Sequence, residues 1–147
     1  MTIETFSAIA QIISSTVVII SILVALRTLS EMKNARYLEA MLRIYDMIGS
    51  KEARTDRKYV CNKLPNNPGK LKAKDWEIVN RISTQLDRIA NLVHHKLVPE
   101  KYLLHTHRHL FIKMWEQLEE HIVYCRCKEG AENHVKKFEK FYNFCKN

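Results

Sequence analysis

Apolar residues dominate the first fifth of the chain and continue further than in an ordinary core helix. No charged residue occurs between Glu4 and Arg27, an interval of 22 residues. A helix of that length rises about 33 Å, which matches a hydrocarbon core of about 30 Å. No basic residue precedes the run and no convincing cleavage site follows it, which argues against a signal peptide. The pattern predicts a transmembrane helix at residues 5–27 and a separate domain at residues 28–147.

Small and polar residues recur along this helix in steps of three and four, so they share one side of it. We call this set the polar seam, and its members are Ser7, Gln11, Ser14, Val18, Ser21 and Ala25. The opposite side carries Ile9, Ile12, Ile13, Ile19, Ile20 and Leu23. Small and hydroxylated residues let membrane helices approach closely, and amides bond across the interface. The seam therefore predicts self-association, as a dry interface with few copies or as the lining of a polar channel with many.

Beyond residue 28 the apolar positions keep a helical period, and Gly and Pro mark the breaks. The first helix is predicted to continue to Gly49, with an apolar face made of Leu38, Met41, Leu42, Tyr45 and Ile48. Ser50 is predicted to cap a helix from Lys51 to about Leu64, which the loop LPNNPGKLKAK follows.

Three further helices are predicted after that loop. Asp75 is the expected N-cap of a helix of about 22 residues, and Pro99 fits the first turn of another. Gly130 precedes a short terminal helix that carries Phe138, Phe141 and Tyr142. No alternating β pattern is present. The predicted fold class is all-α, with one N-terminal transmembrane helix and a bundle of about four to five helices.

Charge predicts how the chain is oriented. Arg27, Lys33 and Arg36 follow the apolar run, whereas only Glu4 and the amino terminus precede it. The positive-inside rule then places the N-terminus outside the cell membrane and the helical domain in the cytoplasm. Beyond Leu26 the chain has 24 basic and 15 acidic residues. A basic domain of this kind is expected to meet either the anionic leaflet or a nucleic acid, and composition does not separate the two.

The order of these signals resembles a family of uncharacterised prokaryotic proteins with one membrane helix and a helical cytosolic domain of unknown function. The matching segments are NARYLEAMLRIYDMIGSKEARTDRKYVCNKLP, LDRIANLVHHKLVPEKYLL and MWEQLEEHIVYCRCK, with the Phe-rich end FEKFYNF. The chain is also similar to the small membrane accessory protein of type VI-B RNA-targeting CRISPR systems. That resemblance implies a degenerate HEPN-type motif, a ring-shaped assembly with a pore, and a role in antiviral defence.

The segment RIANLVHH contains the HEPN ribonuclease pattern of an Arg followed at a short distance by a His. Arg88 would hold a phosphate, and His94 or His95 would move a proton from a ribose 2′-hydroxyl. The pattern arises easily by chance, and on a continuous helix His95 lies two turns from Arg88 while His94 points elsewhere. An ordinary surface pair is the alternative interpretation.

The segment HTHRH raises a metal hypothesis, because His105 and His109 have the i, i+4 spacing that lets two imidazoles reach one ion. His121 and Cys125 repeat that spacing about 18 Å further along the helix, so the two pairs cannot share an ion. A solvated, pH-sensitive basic face is the alternative, and we predict no metal.

The remaining candidate residues are interpreted as structural rather than catalytic. Trp115 is expected in the core, and Trp76 either there or at lipid headgroups. Asp46, Asp56 and Asp87 are each flanked by basic residues and are interpreted as surface ion pairs. The four cysteines, Cys61, Cys125, Cys127 and Cys145, are expected to be reduced thiols in a cytosolic domain.

Two hypotheses of function follow. In the first, the protein is a non-enzymatic, oligomeric membrane protein whose seam assembles it, whose partners are lipid, its own copies and a defence protein, and which opens a pore or perturbs the membrane. In the second, it is a membrane-tethered domain that binds or cleaves RNA. No Gly-rich phosphate loop, nucleophile elbow or paired-carboxylate site is visible, so neither a cofactor nor a small-molecule substrate is predicted.

Overall fold

The chain from residue 3 to residue 147 is mostly helical. A computed structural model describes these residues, apart from the side chains of residues 3–6, 8–10 and 129. Ile9, which was predicted to face lipid, lies outside the described side chains. Within this range there are five α-helices, one 3₁₀ helix at Pro68–Lys70 and no strand. The α-helices are α1 at Ile3–Gly49, α2 at Lys51–Asn62, α3 at Ala73–His94, α4 at Glu100–Glu129 and α5 at Lys136–Lys146. The predicted all-α class is confirmed.

The chain divides into two units, Met1–Leu38 and Glu39–Asn147. The first contains most of α1, which is long and apolar enough to cross a membrane and has no buried residue in its apolar window. The second contains the last part of α1 and all the other helices. As predicted, α1 continues to Gly49. The division at Leu38 follows from contacts within the protein, whereas the boundary at residue 27 was predicted as the end of the membrane-spanning segment. That membrane boundary stays a prediction.

The second unit is built around α3, whose predicted apolar stripe is buried. Val79, Ile82, Leu86, Ile89 and Val93 all belong to the core. They are spaced at three and four residues, so one face of α3 meets its neighbours while the other stays in solvent.

The face that the end of α1 presents to this core matches the predicted one only in part, at Ile48, which is buried, and at Met41, which packs against the core. Ala40, Ile44 and Ile48 are buried, whereas Leu42 and Tyr45 are exposed, as is Leu38 in the first unit. The buried residues follow an i, i+4, i+8 row, the row along which helices commonly interlock. The predicted face differs because Ala40 and Ile44 were not included in it and Leu38, Leu42 and Tyr45 were.

Aromatic rings join α4 to α5 in the core. Phe138 packs edge-on against Phe111 and Trp115, with ring centroids 5.9 and 5.1 Å apart. Tyr142 stacks on Trp115 at 5.5 Å. Trp115 is therefore a core residue as predicted, and the Phe-rich helix closes the bundle. Trp76 is half-buried and stacks on Tyr124 at 5.7 Å, so it too packs within the bundle.

Two of the predicted helix ends are confirmed. The Ser50 hydroxyl accepts a hydrogen bond from the Ala53 backbone N–H at 3.2 Å, as an N-cap does. Gly130 ends α4 with a φ of 63°, in the left-handed region that glycine adopts without strain.

Asp75 was predicted to be the N-cap of α3, but it is the third residue of that helix. The helix begins at Ala73, and the Asp75 carboxylate accepts the backbone N–H of Lys72 at 2.9 Å. It also accepts the Tyr59 hydroxyl at 2.5 Å. One carboxylate thus satisfies a free amide at the helix start and joins α2 to α3. These bonds, that from Tyr59 first, lower the pKa of Asp75 below its ordinary value of 3.8.

We predict that the Tyr59–Asp75 hydrogen bond makes a contribution to the free energy of unfolding that depends on pH. A carboxyl whose pKa is lowered by folding stabilises the native state above the unfolded pKa, and that stabilisation is lost as the pH falls through the folded pKa. Tyr59→Phe should therefore lower the free energy of unfolding more at pH 7 than at pH 3. Urea unfolding followed by tryptophan fluorescence tests this, and an equal loss at both pH values would contradict it.

Two aspartates were wrongly interpreted as surface ion pairs. Asp56 is buried, and its carboxylate accepts two hydrogen bonds from Arg81 at 2.7 and 3.0 Å. Asp87 accepts the backbone N–H groups of Lys137 and Phe138, both at 2.9 Å, and so caps α5 from α3. Each partner is supplied by another helix, which sequence neighbours do not reveal.

Candidate functional site

The polar seam occupies an exposed face of α1. Every residue from Gln11 to Arg36 is exposed, and so is Ser7. At 3.6 residues per turn, the seam positions fall within an arc of about 100° or less. The large apolar residues from Ile12 to Leu26 are each 54–66% exposed, so the protein does not cover them.

Several hydroxyls of α1 are satisfied by their own helix. Thr16 lies opposite the seam, and its hydroxyl donates to the Ile12 carbonyl at 2.8 Å. Ser21 lies in the seam and donates to the Val17 carbonyl at 2.8 Å. Such bonds remove the cost of placing a hydroxyl in an apolar environment. The Ser21 oxygen keeps its lone pairs, so it can still accept a hydrogen bond from a neighbour.

Gln11 is a seam residue whose side chain forms no hydrogen bond with the described part of its helix. Its carboxamide has two donor hydrogens and an acceptor oxygen. Among the described residues, no side chain or backbone group forms a hydrogen bond with that carboxamide. Leaving an amide without a hydrogen-bond partner in an apolar environment costs about 4–8 kcal/mol. The arrangement can therefore bind an amide or hydroxyl from outside the chain.

Basic residues follow the apolar segment, and all three predicted surface cations are exposed. Arg27 forms an ion pair with Glu31 at 3.1 Å. Lys33 lies over the Tyr37 ring at 5.9 Å, and Arg36 has no ion-pair partner among the residues described. The cluster keeps a net positive charge, which suits a membrane surface.

Arg88 and His94 line different cavities. Arg88 is exposed at a cavity of about 390 Å³ that Asp56, Arg81 and Gln85 also line. His94 lines a cavity of about 110 Å³ with Lys137. Lys137 is the main cause that lowers the His94 pKa, which favours the neutral imidazole that a general base requires. A shared active site for the two residues stays a prediction.

The edge of His94 contacts His95, with ring centroids 5.4 Å apart. His95 is exposed, so both rings of this pair are open to solvent. Whether they form an active site or an ordinary surface pair stays a prediction.

The histidines of HTHRH differ in their surroundings. His105 and His109 are exposed, and the described part of the chain contains no cluster of three metal-ligating side chains. His107 instead points inward, and its buried Nε2 has no hydrogen-bond partner among the residues that the structure describes. Burial and the nearby Arg57 lower its pKa. His121 is buried, with Nε2 3.0 Å from the Pro65 carbonyl oxygen, so it anchors the loop before α3.

A basic groove between α2 and α4 was not found by sequence reasoning. It has a volume of about 520 Å³ and is lined by Arg54, Arg57, Lys58, Cys61, Asn62, Leu110, Lys113 and Met114. The signal in the sequence is the i, i+4 spacing of Arg54 and Lys58, which puts both on one side of α2. That Lys113 of α4 completes the groove follows only from packing.

The comparisons give a family without a function. The profile of a family described as a domain of unknown function (DUF4760) matches residues 15–144. No curated protein and no solved structure matches the chain.

Proposed function

The chain belongs to this family of domains of unknown function, and we propose that it is a single-pass membrane protein whose copies associate through the polar seam. The observation that carries the proposal is the uncovered apolar surface of α1 from Ile12 to Leu26. In water that surface would be very unfavourable, at about 25 cal/mol per Å² of apolar area. Lipid and other copies of α1 are the surroundings that suit it.

The hydrogen bonds of α1 leave a polar group in the seam available to a neighbour. The hydroxyls of Thr16, on the lipid side, and of Ser21, in the seam, are both satisfied within the helix. Gln11, also in the seam, is left without a partner among the described residues. The small Ser14 and Ala25 permit close approach of a second helix, and Gln11 then bonds across the interface. Interhelical hydrogen bonds of this kind contribute roughly 0.6–2 kcal/mol each.

The number of copies decides what the assembly does. With few copies, the seams meet at one axis and exclude water. With many copies, Gln11, Ser14 and Ser21 line a polar channel, and the assembly dissipates ion gradients. A pore of that kind is the form in which the protein would perturb a membrane in antiviral defence.

Orientation follows from Arg27, Lys33 and Arg36. Cytoplasmic loops carry an excess of Lys and Arg close to membrane helices. We therefore place the helical unit in the cytoplasm and the N-terminus on the outer side of the cell membrane.

Gln11→Leu is expected to weaken self-association about 3- to 30-fold, because it removes an interhelical hydrogen bond. The measurement is the mass of the full-length protein in detergent micelles over a range of protein-to-detergent ratios. Thr16→Val is the matched control, since it removes a polar group from the opposite face. It should leave the mass distribution unchanged.

Two results would reject the assembly. One is a wild-type protein that is monomeric at every ratio, and the other is equal behaviour of the wild type, Gln11→Leu and Thr16→Val. The same samples give the copy number, which separates the dry interface from the channel.

A further inference from the structure

The charges of α2 are separated onto two sides. Asp56 faces α3, where it pairs with Arg81, and Glu52 lies 3.4 Å from the same guanidinium. Arg54 and Lys58 lie on the other side, towards α4. The carboxylates of α2 are therefore used by Arg81 and do not neutralise the cations on its other side.

The basic groove between α2 and α4 contains four cations and no carboxylate among its lining residues. Arg54, Arg57 and Lys58 come from α2, and Lys113 comes from α4. A second cavity of about 380 Å³ shares Arg54 and Lys58 and adds Lys51. Both cavities carry positive charge only.

Three of the four cations are available to a ligand. Arg54, Lys58 and Lys113 are exposed, and their side chains form no hydrogen bond or ion pair within the described part of the chain. Arg57 is half-buried and donates to the Ile48 carbonyl at 2.7 Å, which fixes its guanidinium at the groove. Burial and, after it, the neighbouring Arg54 lower the Arg57 pKa, so Arg54 and Arg57 repel each other. A bound anion would relieve that repulsion.

The floor of the groove is apolar, which narrows the class of ligand. Leu110 and Met114 of α4 and Cys61 of α2 lie among the cations. Guanidinium and ammonium groups together are typical of phosphate recognition. The apolar floor suits an alkyl group next to that phosphate. The volume is that of a small-molecule site, and no aromatic residue lines it on which a nucleic-acid base could stack.

We propose that the groove between α2 and α4 binds a phosphorylated amphiphile, with its phosphate between Arg54, Lys58 and Lys113 and its alkyl part on Leu110 and Met114. The phosphate belongs either to an anionic lipid headgroup or to a soluble alkyl phosphate. The site lies entirely within the unit Glu39–Asn147 and does not depend on association through the seam.

The test uses the full-length protein in phosphatidylcholine nanodiscs. In the soluble arm, hexyl phosphate and inorganic phosphate are titrated by calorimetry. In the lipid arm, nanodiscs with equal phosphatidylcholine and phosphatidate are used, and native mass spectrometry counts the phosphatidate molecules that the protein retains. Retained phosphatidate identifies a lipid source, and binding of hexyl phosphate without retained phosphatidate identifies a soluble one.

Arg54→Gln/Lys58→Gln should weaken binding in the responsive arm at least 10-fold, because two charge-assisted contacts are lost. Lys70→Gln/Lys74→Gln is the matched control, with the same change in net charge at exposed positions outside the groove. It should change affinity less than 2-fold. Unchanged helix content and unchanged oligomer mass in both variants separate this result from misfolding and from failure of the seam.

Four outcomes would overturn the site. They are no binding in either arm, an equal loss in the groove and control variants, inorganic phosphate binding as tightly as hexyl phosphate, and a single-stranded RNA oligonucleotide that binds more tightly than both with the same dependence on Arg54 and Lys58.

Discussion

Replacing Arg81 by alanine is expected to lower the free energy of unfolding by about 3 kcal/mol. The Asp56 side chain is 8% exposed and Arg81 is 40% exposed, so Arg81→Ala leaves a buried carboxylate without its cation. Breaking a buried pair costs about 3–5 kcal/mol, and the partial exposure of Arg81 favours the lower end of that range. Urea unfolding of the full-length protein in detergent, followed by the fluorescence of Trp76 and Trp115, measures the loss.

Arg88→Ala is the control for this prediction. Arg88 lines the same cavity but is exposed and forms no ion pair with any described residue. Its replacement should change stability by no more than about 0.5 kcal/mol. The double variant Asp56→Leu/Arg81→Met should recover most of the loss, since apolar pairs often replace buried ion pairs without cost. An Arg81→Ala protein as stable as Arg88→Ala would contradict the prediction.

Phe138→Ala should destabilise the bundle by about 3–5 kcal/mol, the usual cost of removing a buried ring. Phe138 is fully buried, and its ring packs edge-on against Phe111 and Trp115 of α4. The cavity left by alanine cannot collapse easily, because both neighbouring rings lie on the same helix. Loss of helical circular dichroism in urea is the measurement.

The matched control is Phe144→Ala, on the same short helix. Phe144 is 43% exposed, so its removal should cost less than about 1 kcal/mol. Equal losses in the two variants would show that α5 does not close the core.

Most of the fold could be predicted from local patterns in the sequence. The stripe of α3 from Val79 to Val93 is continuous and regular, so its buried face follows from spacing alone. Ser50 and Gly130 mark helix ends through local features, namely the bond that the Ser50 hydroxyl accepts from Ala53 and the left-handed backbone of Gly130. A local contact was still misassigned at Asp75, whose bond to the Lys72 N–H places it inside the first turn of α3 rather than at its N-cap.

Long-range contacts were beyond such reasoning. Asp56 pairs with Arg81, which lies 25 residues further along the chain. Asp87 accepts hydrogen bonds from the backbone of α5, about 50 residues further along. Nearby basic residues suggested closer partners for both aspartates. The seam of α1 could be recognised because all its members share one helix. The basic groove could not, because three of its eight lining residues, Leu110, Lys113 and Met114, lie on α4.

The cap that Asp87 provides has a consequence for how the bundle opens. Val135, which precedes α5, adopts a φ of 58°, an unfavourable conformation for a β-branched residue, and provides no side-chain cap. The second and third amides of α5, those of Lys137 and Phe138, therefore depend on an acceptor that belongs to α3. If α3 shifts, those amides lose their partner, and Phe138 leaves the core with them. The two helices are thermodynamically coupled, so the C-terminal helix opens with α3 as one cooperative unit rather than fraying by itself.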